Sequence, residues 1–150
     1  AVNSTVETSS TDANAGIGVD KTTAVNSTVE TVGWRANAGI GGGRVFGVGT
    51  VANTAAVNSN VTTSGYGSYA GIGGGAVLDG GTVANTTAVN SHVKTTDSNA
   101  YAGIGGGSVY REGTVANTTA VNSHVTTAGE WGLAGIGGGG LQEWLPTPRR

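Results

Sequence analysis

The sequence predicts an all-β chain wound as a parallel β-helix (β-solenoid), with one coil for each 32-residue repeat. Three observations predict it. Ala-Val-Asn-Ser recurs at Ala24, Ala56, Ala88 and Ala120, and Ala-Gly-Ile-Gly keeps the same step at Ala38, Ala70, Ala102 and Ala134. The composition is rich in small and β-branched residues, with 29 glycines and 22 threonines against four leucines, so strands are favoured over helices. Val and Ile return at fixed phases, which argues against disorder and for a narrow apolar row shared by stacked coils.

Within one repeat, the run from Thr82 to Thr95 reads as strand. Val83, Val89 and Val93 have one parity and so share a face if the strand is straight. From Ser91 onward the repeats agree with this. Ser91, Val93 and Thr95 match Ser59, Val61 and Thr63, whereas the intervening sites vary, as solvent-facing sites do. Before Ser91, bulk favours Val83 and Val89 as the inward residues. A bend at Asn85 or Asn90 would instead reset the register and turn Thr86 and Ala88 inward. The expected inward ladders are those of Ile40, Val45, Val51, Val57 and Val61. Asn85 and Asn90 are expected to stack on their equivalents as amide ladders at buried corners.

A variable stretch follows, then the Ala-Gly-Ile strand with Ile40, Ile72, Ile104 and Ile136 directed inward. Gly41 to Gly43 and their equivalents form a turn that needs positive φ or very close backbone approach. Val45, Val77, Val109 and Leu141 then begin another short edge. The repeat divides the chain into a short copy over 1–23, full copies over 24–55, 56–87 and 88–119, and a last copy from 120. Relative to the others, the short copy lacks that edge and the Thr-Val-Ala-Asn strand start, as losing one side of the coil would require. Residues 141–150 break the repeat and are expected to form a C-terminal cap or tail. Trp144 would cover the last coil, and Pro146 and Pro148 would block further pairing. The chain starts in mid-repeat at Ala1, which reads as a piece of something longer.

The segment Gly113-Thr114-Val115-Ala116-Asn117-Thr118-Thr119-Ala120, with Val125 and Ala134-Gly135-Ile136-Gly137, resembles the GLUG-motif repeats of bacterial surface and adhesin-like proteins. It departs from that motif at Thr118, where the motif has cysteine, and near Asn122-Ser123, where this chain has one extra residue. The Leu-Val pair of the motif's glycine-rich segment is also missing. The resemblance implies a β-solenoid in an exported, extracellular or cell-surface bacterial protein, and it implies no catalytic residues.

Function is less legible than fold. Net charge is −2 with scattered basic residues, so no nucleic-acid footprint is present. No run approaches the roughly 20 apolar residues of a membrane span. Cysteine is absent, which removes disulfides and thiolate metal sites. No catalytic, cofactor-binding or metal residue stands out. His92 and His124 share a phase one coil apart, as do Glu7 and Glu30, and both pairs read as solvated surface. The expectation is a non-catalytic structural or adhesive segment of a surface or filament protein. Its partners would be a further copy joined end to end, or the continuation of a longer chain. Two binding surfaces are the alternatives. Rim aromatics Trp34, Tyr66, Tyr69, Tyr101 and Trp131 would hold surface glycans or another protein by stacking. A flat threonine face of Thr50, Thr54, Thr82, Thr86, Thr114 and Thr118 would bind ice if valine points inward throughout.

Overall fold

The structure is a computed structural model that describes residues 1–18, 20–137 and 140–142. Among the described residues all strand pairing is parallel, and partners in the full copies lie 32 residues apart, as in Val83↔Val51 and Val93↔Val61. The short copy joins with an offset of 23, as in Val6↔Val29 and Ile17↔Ile40. The chain is therefore a β-solenoid of about four turns in which each 32-residue repeat makes one coil.

Four sheets run along the rod. Sheet A contains Thr23–Val25, Thr50–Val57, Thr82–Val89 and Thr114–Val121. Sheet B contains Thr5–Thr8, Thr28–Thr31, Asn60–Thr63, His92–Thr95 and His124–Thr127. Sheet C contains Ala15–Ile17, Ala38–Ile40, Tyr69–Ile72, Tyr101–Ile104 and Ala134–Ile136. Sheet D contains Arg44–Phe46, Ala76–Leu78, Ser108–Tyr110 and Gly140–Gln142. Five strands at the usual spacing make sheet B about 19 Å tall. Among the described residues sheet D has no strand from the short copy, so one side of the first coil is missing there.

The apolar residues form two parallel cores. The larger lies between sheets A, B and C and contains the alanines 24, 56 and 88, the valines 29, 61 and 93, and the isoleucines 40, 72 and 104. The smaller lies between sheets A and D and contains Val45, Val77 and Val109 facing Val51 and Val83. Most of these side chains are fully buried, and each Val or Ile contributes roughly 1.5–3 kcal/mol relative to exposure.

Sheet A serves both cores because it bends between them. Asn53, Asn85 and Asn117 adopt left-handed φ of 56°, 53° and 53°. Asparagine tolerates that conformation better than other side-chain-bearing residues. The bend resets the register, so Val83 faces the small core while Thr86 and Ala88, of the opposite parity, face the large one. A second bend at Asn58, Asn90 and Asn122 restores the parity of Ser91, Val93 and Thr95. This corrects the straight-strand reading. Val57 and Val89 are not core residues but lie half-exposed at the corner.

The amide ladder forms at only one of the two corners, and on the surface. Asn85 Nδ2 donates to Asn53 Oδ1 at 3.2 Å, and Asn117 Nδ2 to Asn85 Oδ1 at 3.1 Å, with all three residues exposed. At the other corner the buried ladder is made by serine. The Ser59 N–H donates to Ser91 Oγ at 3.2 Å, and the Ser91 N–H to Ser123 Oγ at 3.1 Å. Each hydroxyl in turn donates to the carbonyl two residues back.

The triple glycine separates the cores. Gly41, Gly73 and Gly105 have φ of 104°, 104° and 102°, which side-chain-bearing residues rarely adopt. Gly71 is closed by contact: a Cβ there would lie 1.9 Å from the Gly74 carbonyl oxygen. The segment thus folds back against the outer surface of sheet C and leads directly into sheet D. The proposed cap residues Trp144, Pro146 and Pro148 lie outside the described residues.

Candidate functional site

A groove of about 500 Å³ lies where sheets C and D adjoin. One wall is built by the turn between sheets B and C. At a single phase of that turn, Asp12, Arg35, Gly67, Asn99 and Trp131 all take φ between 53° and 64°. Asp12, Arg35, Gly67 and Asn99 line the groove. Two residues later come Asn37, Tyr69 and Tyr101, which also line it, at or just before the start of their sheet-C strands. The opposite wall is the outward face of sheet D, with Arg44, Ser108, Leu78 and Tyr110. Since the lining comes from four successive coils, the groove runs along the rod for about 14 Å.

The rim aromatics divide between groove and outer turn. Tyr69 and Tyr101 stack on each other, with centroids 5.2 Å apart and planes 11° from parallel. Trp34 and Tyr66 meet in a tilted pair at 6.3 Å, and the Arg35 guanidinium lies 4.8 Å from the Trp34 ring. Asn99 Nδ2 donates to the Tyr66 hydroxyl at 2.8 Å. Each of these four rings therefore meets one neighbour along the axis, and Trp34 and Tyr66 stay about half exposed. Trp131 is 78 % exposed, in a left-handed conformation one coil beyond Asn99. The five residues form no single stacking platform.

The threonine face does not form as expected, because Asn53, Asn85 and Asn117 invert it. Thr54 and Thr86 are fully buried, and Thr118 points the same way in the last full strand of sheet A, with its Oγ1 buried. Thr50, Thr82 and Thr114 remain on the outside. The outward surface of sheet A carries one threonine column from the proposed set and not two. The buried Oγ1 atoms of Thr22, Thr54, Thr86 and Thr118 have no hydrogen-bond partner.

Two further columns lie on the exposed face of sheet B. His92 and His124 stack at 5.1 Å with planes 6° apart, and Glu7 pairs in register with Glu30. Among the described residues no group of three His, Cys, Asp or Glu side chains is placed to hold a metal ion.

The charges in the groove were not recognised in the sequence, where Arg35 and Arg44 lie in different variable segments. Tyr69 titrates above the ordinary phenol value of 10.0, first because it is partly buried and then because Tyr101 lies beside it. Arg35 and Arg44 both act in the opposite direction on that same phenol, which places two guanidinium groups within electrostatic reach of one point. Among the described residues the one ion pair is Arg111–Asp79, at 3.6 Å, so neither groove arginine is matched by a carboxylate.

The architecture and this groove define the class as a parallel β-solenoid with a lateral polar-aromatic groove. Comparison of the chain with family models, with curated proteins and with solved structures found no match.

Proposed function

We propose that the chain is a non-catalytic structural and adhesive segment of an extracellular bacterial surface or filament protein, extended end to end by further coils. The observation that carries this reading is the register. Constant positions of the repeat stack in columns: two apolar cores, a serine ladder and an asparagine ladder. Such a rod grows by adding coils, because each coil contacts only its neighbours. Among the described residues, His124–Thr127 has a partner on one side only, and Ile136 is 58 % exposed where Ile104 is fully buried. An open parallel edge of this kind is a template for another strand. The GLUG resemblance supports the surface location. The test is sedimentation velocity across a wide concentration range, combined with negative-stain microscopy. The reading predicts end-to-end species of uniform width whose length rises with concentration. A strict monomer at all concentrations would remove the assembly claim.

A further inference from the structure

The groove between sheets C and D is a feature that the stalk reading leaves unused. We propose that it binds an acidic polysaccharide, with Arg35 and Arg44 holding carboxylates and the tyrosine and serine hydroxyls of the walls holding sugar hydroxyls. This goes beyond the stalk reading, which stands or falls on assembly whatever the groove binds.

Three observations point to this ligand. The first is charge. The chain carries a net −2, yet the groove is lined by two guanidiniums, neither paired with a carboxylate among the described residues, against the single carboxylate of Asp12. Arginine offers paired donors suited to a carboxylate, and each of these two is preorganised over an aromatic ring, at 4.8 Å from Trp34 and 5.4 Å from Phe46.

The second is the chemistry of the walls. Tyr69, Tyr101, Tyr110 and Ser108 add hydroxyl groups that donate and accept, as a polyol requires. Stacking of Tyr69 on Tyr101 occupies one face of each ring, so polar edges and charge carry more of the recognition than sugar–ring stacking does. That favours an acidic chain over a neutral one. The third is extent. The lining comes from four successive coils, so the groove runs for about 14 Å and can hold several units of a polymer.

The experiment is calorimetric titration of the intact chain with three probes: tetragalacturonate, its methyl ester and tetraglutamate. Saturable binding of tetragalacturonate is expected, weakened by added NaCl, with much weaker binding of both other probes. The double variant Arg35→Gln/Arg44→Gln should weaken tetragalacturonate binding about tenfold, since two exposed ion pairs are lost. Lys94→Gln, on the exposed face of sheet B, should leave binding unchanged. Both arginines are exposed, and circular dichroism with urea midpoints confirms that the variant stays folded. The methyl ester needs no variant and tests the charge requirement independently. Absence of saturable binding, equal binding of the ester or of tetraglutamate, or an unchanged affinity in the folded double variant would each overturn the proposal.

Discussion

Replacing Thr86 with valine tests the bend in sheet A directly. Thr86 is fully buried, and its Oγ1 has no hydrogen-bond partner. Leaving a buried hydroxyl unsatisfied costs about 1–3 kcal/mol, and valine removes that cost at nearly the same shape. Crowding takes back part of the gain. The hydroxyl faces Gly73, where even a Cβ would approach it to 2.9 Å, and the new methyl group is slightly larger. A net stabilisation of about 1 kcal/mol is expected for Thr86→Val. In urea unfolding this raises the midpoint by roughly 0.5 M at an unchanged slope. Thr82→Val, on the outer side of the same strand before the bend, should change stability by no more than about 0.5 kcal/mol. If Thr86→Val, like Thr82→Val, changes stability by no more than about 0.5 kcal/mol, the two threonines share the outer face and the strand is straight.

Other perturbations probe other parts of the rod. Ser91→Ala removes the oxygen that accepts from the Ser59 N–H and donates to the Val89 carbonyl, and it should cost about 1–3 kcal/mol in the same urea assay; a neutral result would deny the ladder. Trp131→Gly relieves a left-handed φ of 60° on an exposed residue and should raise the thermal midpoint, with a net gain of about 0.5–1 kcal/mol. A lower midpoint would mean that the ring packs on something essential. The folded chain holds the Tyr69 proton more tightly than the unfolded chain does, so this contribution to stability is intact below pH 10.0 and is lost as pH rises through the higher folded value. Tyr69→Phe should flatten the decline in stability above pH 10.0, and an unchanged slope would mean that other groups cause it.

The period was the most legible feature, because a column of identical residues is favourable only if like lies above like. The 32-residue step, the inward Ile40 and Val61 and the glycine turn at Gly41 all follow from it. The missing side of the first coil was readable for the same reason. The interior of sheet A was not. Recent repetition keeps both faces of Thr82–Val89 nearly constant, so variation could not separate inside from outside, and alternation alone assumed a straight strand. The bend depends on the left-handed conformation of Asn85, which the residue permits but does not compel. The same bend divided the threonine face.

The candidate site was half legible. Aromatics between the constant strands marked the right rim, but their mutual packing could not be read from spacing. Arg35 and Arg44 lie nine residues apart, in segments without a shared pattern. They line one groove only because the triple glycine folds sheet D back against sheet C.

The central claim is that one repeat makes one coil, so that residues 32 apart are direct neighbours. The chain has no cysteine, which leaves engineered pairs free of competing thiols. Asn60 and His92 are exposed register partners on sheet B, with Cα atoms at about the 4.8 Å strand spacing, inside the roughly 4.4–6.8 Å that a disulfide spans. The measurement is the rate of disulfide formation under mild oxidation in the folded double variant Asn60→Cys/His92→Cys, compared with His92→Cys/Ser108→Cys. Two coils of 16 residues per repeat would make His92 and Ser108 the neighbours instead. Rapid, nearly complete closure of the first pair and none of the second is the predicted result; closure of the second pair in preference to the first would contradict it.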